Sequence, residues 1–342
     1  MVRGVKRTLC RLGLGLLSVG FLSVTHATES LFDSDSILEL ELRGPLAATV
    51  RDTRRPTERP FKVGTRGEYW DVDVRARGKS RVHYCRFPPL RFDFDTDVVT
   101  TGPFAAQNKL KLVTHCSDGP QSDDNLLEEY VAYRIFAALS PVSHRVRLLR
   151  LTYVDTDKPE REPLVRHAFA IEPIDQVAAR NRGHTARVEH LVTSRIEREQ
   201  AALVFVFQYL IANADWSLVK IRDDDECCHN VHVVTTAERD FLVPYDFDLS
   251  GLVNPRYARR APNLRNRSVR ERSYGGYCLG GMQLDQAVAA IVAQREAIMA
   301  VVEGLPWADA EAAAERRAFL EAFFDEAATT ALAKRLEGEC VG

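Results

Sequence analysis

The chain has 342 residues, with 46 lysines and arginines against 48 aspartates and glutamates, and 45% of its residues are hydrophobic. This balance argues against a protein that grips nucleic acid by neutralising phosphates, and no apolar run is long enough to span a bilayer. A chain of this length can bury a large core in one bilobal unit or two domains, and it carries no repeat or low-complexity tract.

The N-terminus has Arg3, Lys6, Arg7 and Arg11 without an acid, then the apolar run Leu12 to Val24, then "THA" ending at Ala27. That order predicts a secretory signal peptide over residues 1–27, cleaved near Ala27, and a secreted or periplasmic product without a membrane span. Its removal leaves 42 basic against 48 acidic residues, a mildly acidic protein. Cys85, Cys116, Cys227, Cys228, Cys278 and Cys340 remain, and in an oxidising compartment they read as disulfides. Cys85 with Cys116 is the first expected pair. The adjacent Cys227 and Cys228 are placed to reach Cys278 and Cys340, with the pairing left open. Zinc is the rival for "CCHNVH", but the spacing fits none of the usual zinc frames.

Residues 28–65 read as a loosely ordered segment, a short amphipathic "SILELEL" followed by the charged, proline-punctuated "RDTRRPTERP". From 66 to 174 the pattern is strand-rich. "YWDVDVRA" alternates, "RVHYCRFPPLRFDFD" is a proline-interrupted strand pair, and "KLKLVTHC" puts Lys109, Lys111 and Val113 on one face. "NLLEEYVAYRIFAALS" predicts a helix with Asn125 as N-cap, Glu128 and Glu129 in its first turn, and Pro141 as its stop. "HRVRLLRLTYVDTD" and "LVRHAFAIEPID" are two further strands.

From 175 to 342 the period turns helical. "SRIEREQAALVFVFQYLIAN" is a long helix with Leu203, Phe207, Leu210 and Ile211 on its apolar face. "VHVV" and "FLVPYDFD" are short strands, a basic loop follows from Pro255, and two long helices close the chain. The fold class is therefore α+β and bilobal: a strand-rich N-lobe with one main helix, then a helix-rich C-lobe, joined near Glu172 to Asp175.

The informative residues cluster between 213 and 251. Asp215 lies in the loop after the long helix, and Asn230 opens a strand. Asp246 and Asp248 sit on the next strand, sharing a face because the strand period is two. An aspartate for the nucleophile's proton, with an asparagine and a second aspartate for a divalent cation, is the donor set of phosphoryl transfer. Lys109 or Lys111 on a strand and Glu128 or Glu129 on the next helix supply the components of a phosphate-anchoring ion pair. The turn "RARGKSR" adds Arg77 beside Gly78, where backbone and cation can approach phosphate. Singly, each of these residues also suits a plain structural role: a turn former, an edge-strand lysine, an acid near a helix N-terminus.

In order, "RGKSR", "PPLRFDF", "KLKLVTHCSD", "LLEEYVAYRIF", "AFAIEPIDQVAARN" and "NADWS…HN…PYDFD" resemble the CotH family of secreted, spore-coat-type atypical kinases, over roughly Val72 to Gly251. The resemblance implies a protein-kinase-like fold, ATP with Mg²⁺ or Mn²⁺, and a protein hydroxyl as acceptor. It gives Asp215 the catalytic role and Asn230 and Asp246 the metal, with Asp248 as a neighbouring position. Lys111 (or Lys109) and Glu129 become the ion pair. A catalytically inactive kinase fold, serving binding or envelope assembly, is the alternative. Asp215 and Asn230 stand 15 apart where kinases have H-R-D-x-x-x-x-N, so the intervening segment must loop out.

Overall fold

The computed structural model describes residues 1–2, 30–79, 81–185, 189–219, 227–259, 267–329 and 331–341. The expected leader peptide, except residues 1–2, and the acidic run 223–226 lie outside them. Seven strands form a closed barrel. They are β1 (Leu38–Gly44), β2 (Arg59–Thr65), β3 (Glu68–Ala76), β4 (Leu90–Asp93), β5 (Lys109–Thr114), β6 (Val146–Asp155) and β7 (Leu164–Ile171), in the order β1-β2-β3-β4-β5-β7-β6. Parallel pairing of β1 with β6, from Leu38 against Leu149 to Gly44 against Asp155, closes the ring.

Closure changes the reading of residues 28–65. They hold β1, the short helix α1 (Leu46–Arg51) and β2 in place of a loosely ordered segment. The cause is the alternation in "LELEL": Leu40 and Leu42 point into the barrel and are buried, and the intervening glutamates face out. Val63, Val74, Phe92, Leu112 and Leu151 meet them there. Each such burial contributes about 1.5–3 kcal/mol over exposure.

A second core surrounds the long helix α3 (Pro120–Leu139). Its apolar residues occupy every face (Leu126, Leu127, Tyr130, Val131, Tyr133, Ile135 and Phe136 are all buried), as expected of a helix passing between the barrel and the helical half. The helix begins five residues before the expected cap. Gly119 is the N-cap, with proline in the first turn, where its missing N–H costs nothing. Asn125 therefore lies inside the helix, and Glu128 and Glu129 lie beyond the first turn, buried.

After α2 (Arg81–Tyr84) and α4 (Ile174–Arg180), a small sheet pairs β8 (His184–Thr185), β9 (Val231–Thr235) and β10 (Asp240–Pro244) beside α5 (Arg198–Leu210). The last expected helices are each divided, into α6 (Leu284–Ala293) and α7 (Arg295–Glu303), then α8 (Ala310–Ala327) and α9 (Leu332–Glu339). Among the described residues no helix is long and apolar enough to cross a membrane.

Cys85 joins Cys116, as expected, but Cys278 joins Cys340 and Cys227 joins its neighbour Cys228. The C-terminal pairing follows from a backbone bridge of Tyr277 with Val341, which brings the two cysteines together. With every one of these thiols oxidised, the "CCHNVH" zinc alternative loses its sulfur ligands. Three disulfides fit an oxidising, extracellular or periplasmic compartment.

Next to the first disulfide, His115 packs on Phe87 at 4.3 Å, with both ring nitrogens buried and unpartnered among the described residues. Burial holds its pKa down to about 4. The unfolded chain takes that proton near the ordinary value of about 6.5. This contribution to stability is thus complete above pH 6.5 and is lost as pH falls toward 4, by about 1.4 kcal/mol per unit. Urea unfolding at pH 7 and pH 5 should show wild type losing about 2 kcal/mol more than His115→Leu; equal losses would contradict this.

Candidate active site

A cleft opens between the barrel and the helical half. One wall is cationic: Arg77 and Lys79 at the turn after β3, with Lys109 and Lys111 on β5. Gly78 turns the chain there at φ 110°, a region that only glycine enters without strain. Asp246, Arg81 and Glu129 also line the cleft, together with His144, the segment Ile171 to Asp175, His232 and Tyr245. The Lys111 ammonium opens into this space. Desolvation by the walls, then Arg77, hold its pKa below the ordinary lysine value, and Asp246 opposes them. The Arg77 guanidinium is treated likewise, with desolvation first and Asp246 again the opposing charge. Neither cation has an ion-pair partner within 4.0 Å among the described residues, so an anion in the cleft would meet two cations balanced only at longer range by Asp246 and, at Arg77, by Glu129.

Asp215 is positioned by the end of α5. Ala212 takes φ 50°, and the Asn213 side-chain oxygen accepts from the Asp215 N–H at 3.0 Å, a tight asparagine turn. Residues Ser217 and His229 exchange backbone hydrogen bonds at 3.1 and 3.0 Å, pinching off the insertion. This closes the gap that separates Asp215 from Asn230 in sequence. Asn230 Nδ2 donates to the Asp215 carbonyl at 2.7 Å and to its carboxylate Oδ2 at 3.0 Å. The other carboxylate oxygen lies 3.1 Å from His229 Nε2. Both nitrogen contacts face Asp215, so the amide's oxygen end is directed elsewhere.

Asn230 has φ 53° and Asp246 φ 61°. Left-handed backbone at two non-glycine residues is uncommon and gathers at functional sites, though asparagine and aspartate tolerate it best. The Tyr245 N–H donates to the Asn230 carbonyl at 3.0 Å, tying the two segments together, and the Asp246 N–H donates to the Tyr133 hydroxyl at 2.9 Å. β10 ends at Pro244, so Asp246 and Asp248 lie in the following turn and do not share a strand face as expected. Gly251 holds that turn against α5. Its N–H donates to the Ala212 carbonyl at 2.9 Å, and a Cβ there would stand 2.5 Å from the Val269 carbonyl.

Asp248 turns away from the cation wall. The Arg81 guanidinium, buried, meets Glu129 at 2.9 Å and Asp248 at 3.1 Å, and the Tyr257 hydroxyl donates to Asp248 at 3.1 Å. Burial pushes both carboxyls up, and Arg81 pulls them back. The lysine–glutamate pair expected for Glu129 is thus an arginine–glutamate pair. Lys111 lines the same cleft as Asp246, whose charge acts on it, and Lys109 is exposed. Asp248, its carboxylate taken by Arg81 and Tyr257, is the least available of the three expected metal ligands. Arg81 has no distinctive sequence signal, because it closes a basic turn in which every cation looks alike; His229, present in the sequence pattern only beside Asn230, takes its place against the Asp215 carboxylate.

Among the described residues no group of three or more His, Cys, Asp and Glu side chains forms a metal cage. The available donors are the Asn230 amide oxygen and the Asp246 carboxylate. Hard oxygen donors in that small number fit Mg²⁺ or Mn²⁺, since Mg²⁺ characteristically keeps waters and completes its shell with substrate phosphates.

No protein-family model and no curated protein matches the chain. Among solved structures, the Helicobacter pylori proinflammatory kinase CtkA is similar with a TM-score of 0.39 at 10% identity, over 72% of this chain and 94% of that one. HipA from the Shewanella oneidensis MR-1 toxin–antitoxin system, solved with HipB and operator DNA, is similar with a TM-score of 0.35 at 11% identity, over 73% of this chain and 63% of that one. Both likenesses are distant and of broad outline.

Replacing Arg81 by leucine leaves Glu129 and Asp248 buried without a counter-charge, a loss of about 3–5 kcal/mol. Arg81→Leu combined with Glu129→Gln and Asp248→Asn should recover much of that stability. Denaturant midpoints of the two variants check this, and equal midpoints would refute a shared buried ion pair.

Proposed function

We propose that the protein is an exported phosphotransferase of kinase type, similar to the CotH kinases, that takes ATP into the cleft and passes its γ-phosphoryl group to a protein hydroxyl. The single observation that carries this reading is the double hydrogen bond of Asn230 to Asp215. It holds a partly exposed carboxylate and an amide together, and the Asp215 charge is close enough to Asp248 to help push that carboxyl up. Asp246, held by the Tyr133 hydroxyl, lines the cleft with Arg77 and Lys111 and acts on both.

In this reading Lys111 and Arg77 bind the triphosphate, and Gly78 lets backbone approach it. Asn230 and Asp246 would hold Mg²⁺ or Mn²⁺, which supplies neutralisation of phosphate charge. Asp215 orients the acceptor hydroxyl and receives its proton as the oxygen attacks phosphorus. The new P–O bond forms as the bond to the β-phosphate oxygen breaks, and ADP departs with the electron pair. Asn230 and His229 keep the Asp215 carboxylate in one orientation, so that the acceptor oxygen is presented in line.

One observation favours the second reading, a kinase fold that binds nucleotide without transferring phosphate. Arg81 neutralises both Glu129 and Asp248, withdrawing two carboxylates that a catalytic cleft would otherwise use. Incubation of residues 28–342 with γ-labelled ATP and Mg²⁺ or Mn²⁺ separates the two. Transfer to the protein itself or to an added protein should occur, and Asp215→Asn should lower it by about 10²-fold or more while leaving ATP-dependent thermal stabilisation in place. Asp246→Ala should lose both. Stabilisation by ATP without any wild-type transfer would establish the binding protein instead.

A further inference from the structure

The basic loop after Asp248 contributes no described residue to the lining of the cleft. Between Asp248 and Glu271 the sequence carries six arginines and no acid. The described start of this loop is held firmly. Asn254 takes φ 43° and its N–H donates to the Ser250 carbonyl at 2.9 Å, while the Val253 carbonyl accepts from Asn125 of α3 at 2.8 Å. Pro255 is buried and fixes the chain once more, so the exposed Arg256 stands on a rigid turn.

A second cavity, of about 190 Å³, adjoins that turn, and Glu128, Asn254, Arg256, Arg270, Glu315 and Arg316 are among the residues that line it. Its charges do not cancel. Glu128 is taken by Arg316 at 2.5 Å, and Glu315 by Arg270 at 2.5 Å and Arg316 at 2.9 Å. Three guanidiniums thus share two carboxylates, and Arg256 is the one with no acid within 4.0 Å among the described residues. A guanidinium presents its N–H donors as a planar fork that matches a carboxylate, and such pairs are among the stronger hydrogen-bonded contacts. The loop also starts beside the reacting groups. Tyr257 donates to Asp248 at 3.1 Å, and Asp248 is near enough to Asp215 to feel its charge. A protein segment that brings a hydroxyl to Asp215 therefore has this turn within reach of its neighbouring residues.

We infer that the acceptor protein is recognised through an acidic side chain near its receiving hydroxyl, whose carboxylate enters this cavity and pairs with Arg256. Arg270 and Arg316, already engaged, add positive charge around it. This rests on the reading of the protein as a phosphotransferase and adds which acceptors it takes and which side chain selects them. Nucleic acid also meets arginines, but the chain after its expected leader has 42 basic against 48 acidic residues, and a cavity of this size admits a side chain better than a phosphodiester backbone. A basic side chain at the same place would set like charges together, so the site rejects as well as selects.

Labelled serine peptides test this, each with a single glutamate moved stepwise along either side of the serine in an uncharged background. Binding to residues 28–342 is read by fluorescence anisotropy, and transfer with γ-labelled ATP and Mg²⁺. At one offset glutamate should bind at least about tenfold tighter than glutamine, and the gain should appear in KM and not in kcat. Arg256→Glu should invert the preference at that offset, so that lysine there binds better than glutamate, an outcome that a merely structural arginine would not give. Arg256→Ala, should the reversed charge upset folding, should erase the difference between glutamate and glutamine. No offset at which glutamate exceeds glutamine, a preference that survives both variants, or no peptide bound at all overturns the inference. A single-stranded oligonucleotide bound more tightly than the best acidic peptide overturns the protein partner. Acidic peptides bound through Arg256 without any transfer overturn the phosphotransferase reading and leave the acidic-partner site standing.

Discussion

The arrangement of the cleft depends on one buried guanidinium. Arg81 enters from the start of the short helix α2, between β3 and β4, and is held by Glu129 from α3 and Asp248 from the turn after β10. Three charges taken out of water carry a desolvation cost of several kcal/mol each, repaid only when geometry is good and the remaining donors and acceptors are satisfied. Here Tyr257 completes the set, bonding to both Arg81 and Asp248. Because its members come from the barrel, the central helix and the helical half, the network fixes all three relative to one another.

Further tethers act on the same helix. Glu128 meets Arg316 of α8 at 2.5 Å, and Asn125 donates to the Val253 carbonyl at 2.8 Å. With α3 pinned along its length, Tyr133 is delivered to the backbone of Asp246, and Asp246 is set in the cleft with Lys111 and Arg77. The left-handed backbone at Asn230 and Asp246, at about 1–3 kcal/mol each, is sustained by these surrounding contacts. What the network leaves without a close ion pair is as informative as what it pairs: two cations, Arg77 and Lys111, and one carboxylate, Asp246, line the same space.

Much of this was readable in the sequence as residue types in an order, and little of it as contacts. The α+β division, the helix after which Asp215 falls, and the strand opened by Asn230 follow from periodicity. The hydrogen bond between Asp215 and Asn230 does not, because it depends on a Ser217–His229 bridge across an insertion whose own sequence says nothing of its closure. Asp248 was misplaced because "FLVPYDFD" alternates like a continuing strand, whereas the left-handed turn at Asp246 takes it out of the sheet. Glu129 was given to a lysine because an acid on a helix and a cation on a neighbouring strand pair naturally in the abstract. The arginine that pairs with it opens the short helix α2, just past a basic turn whose cations read as facing solvent. The alternation of Leu40 and Leu42 marks β1 only as an amphipathic piece, because its partner β6 lies more than a hundred residues away and the charged, proline-punctuated stretch after it reads as loose chain.

The most direct measurement is a crystal structure of residues 28–342 with a non-hydrolysable ATP analogue and Mn²⁺, using the anomalous signal of manganese. If Asn230 and Asp246 share a cation, a manganese peak will lie about 2.0–2.3 Å from the Asn230 amide oxygen and an Asp246 carboxylate oxygen. The triphosphate will then run toward Lys111 and Arg77. A metal held elsewhere, or a nucleotide bound with Asn230 and Asp246 pointing away from it, would contradict the kinase reading of the cleft.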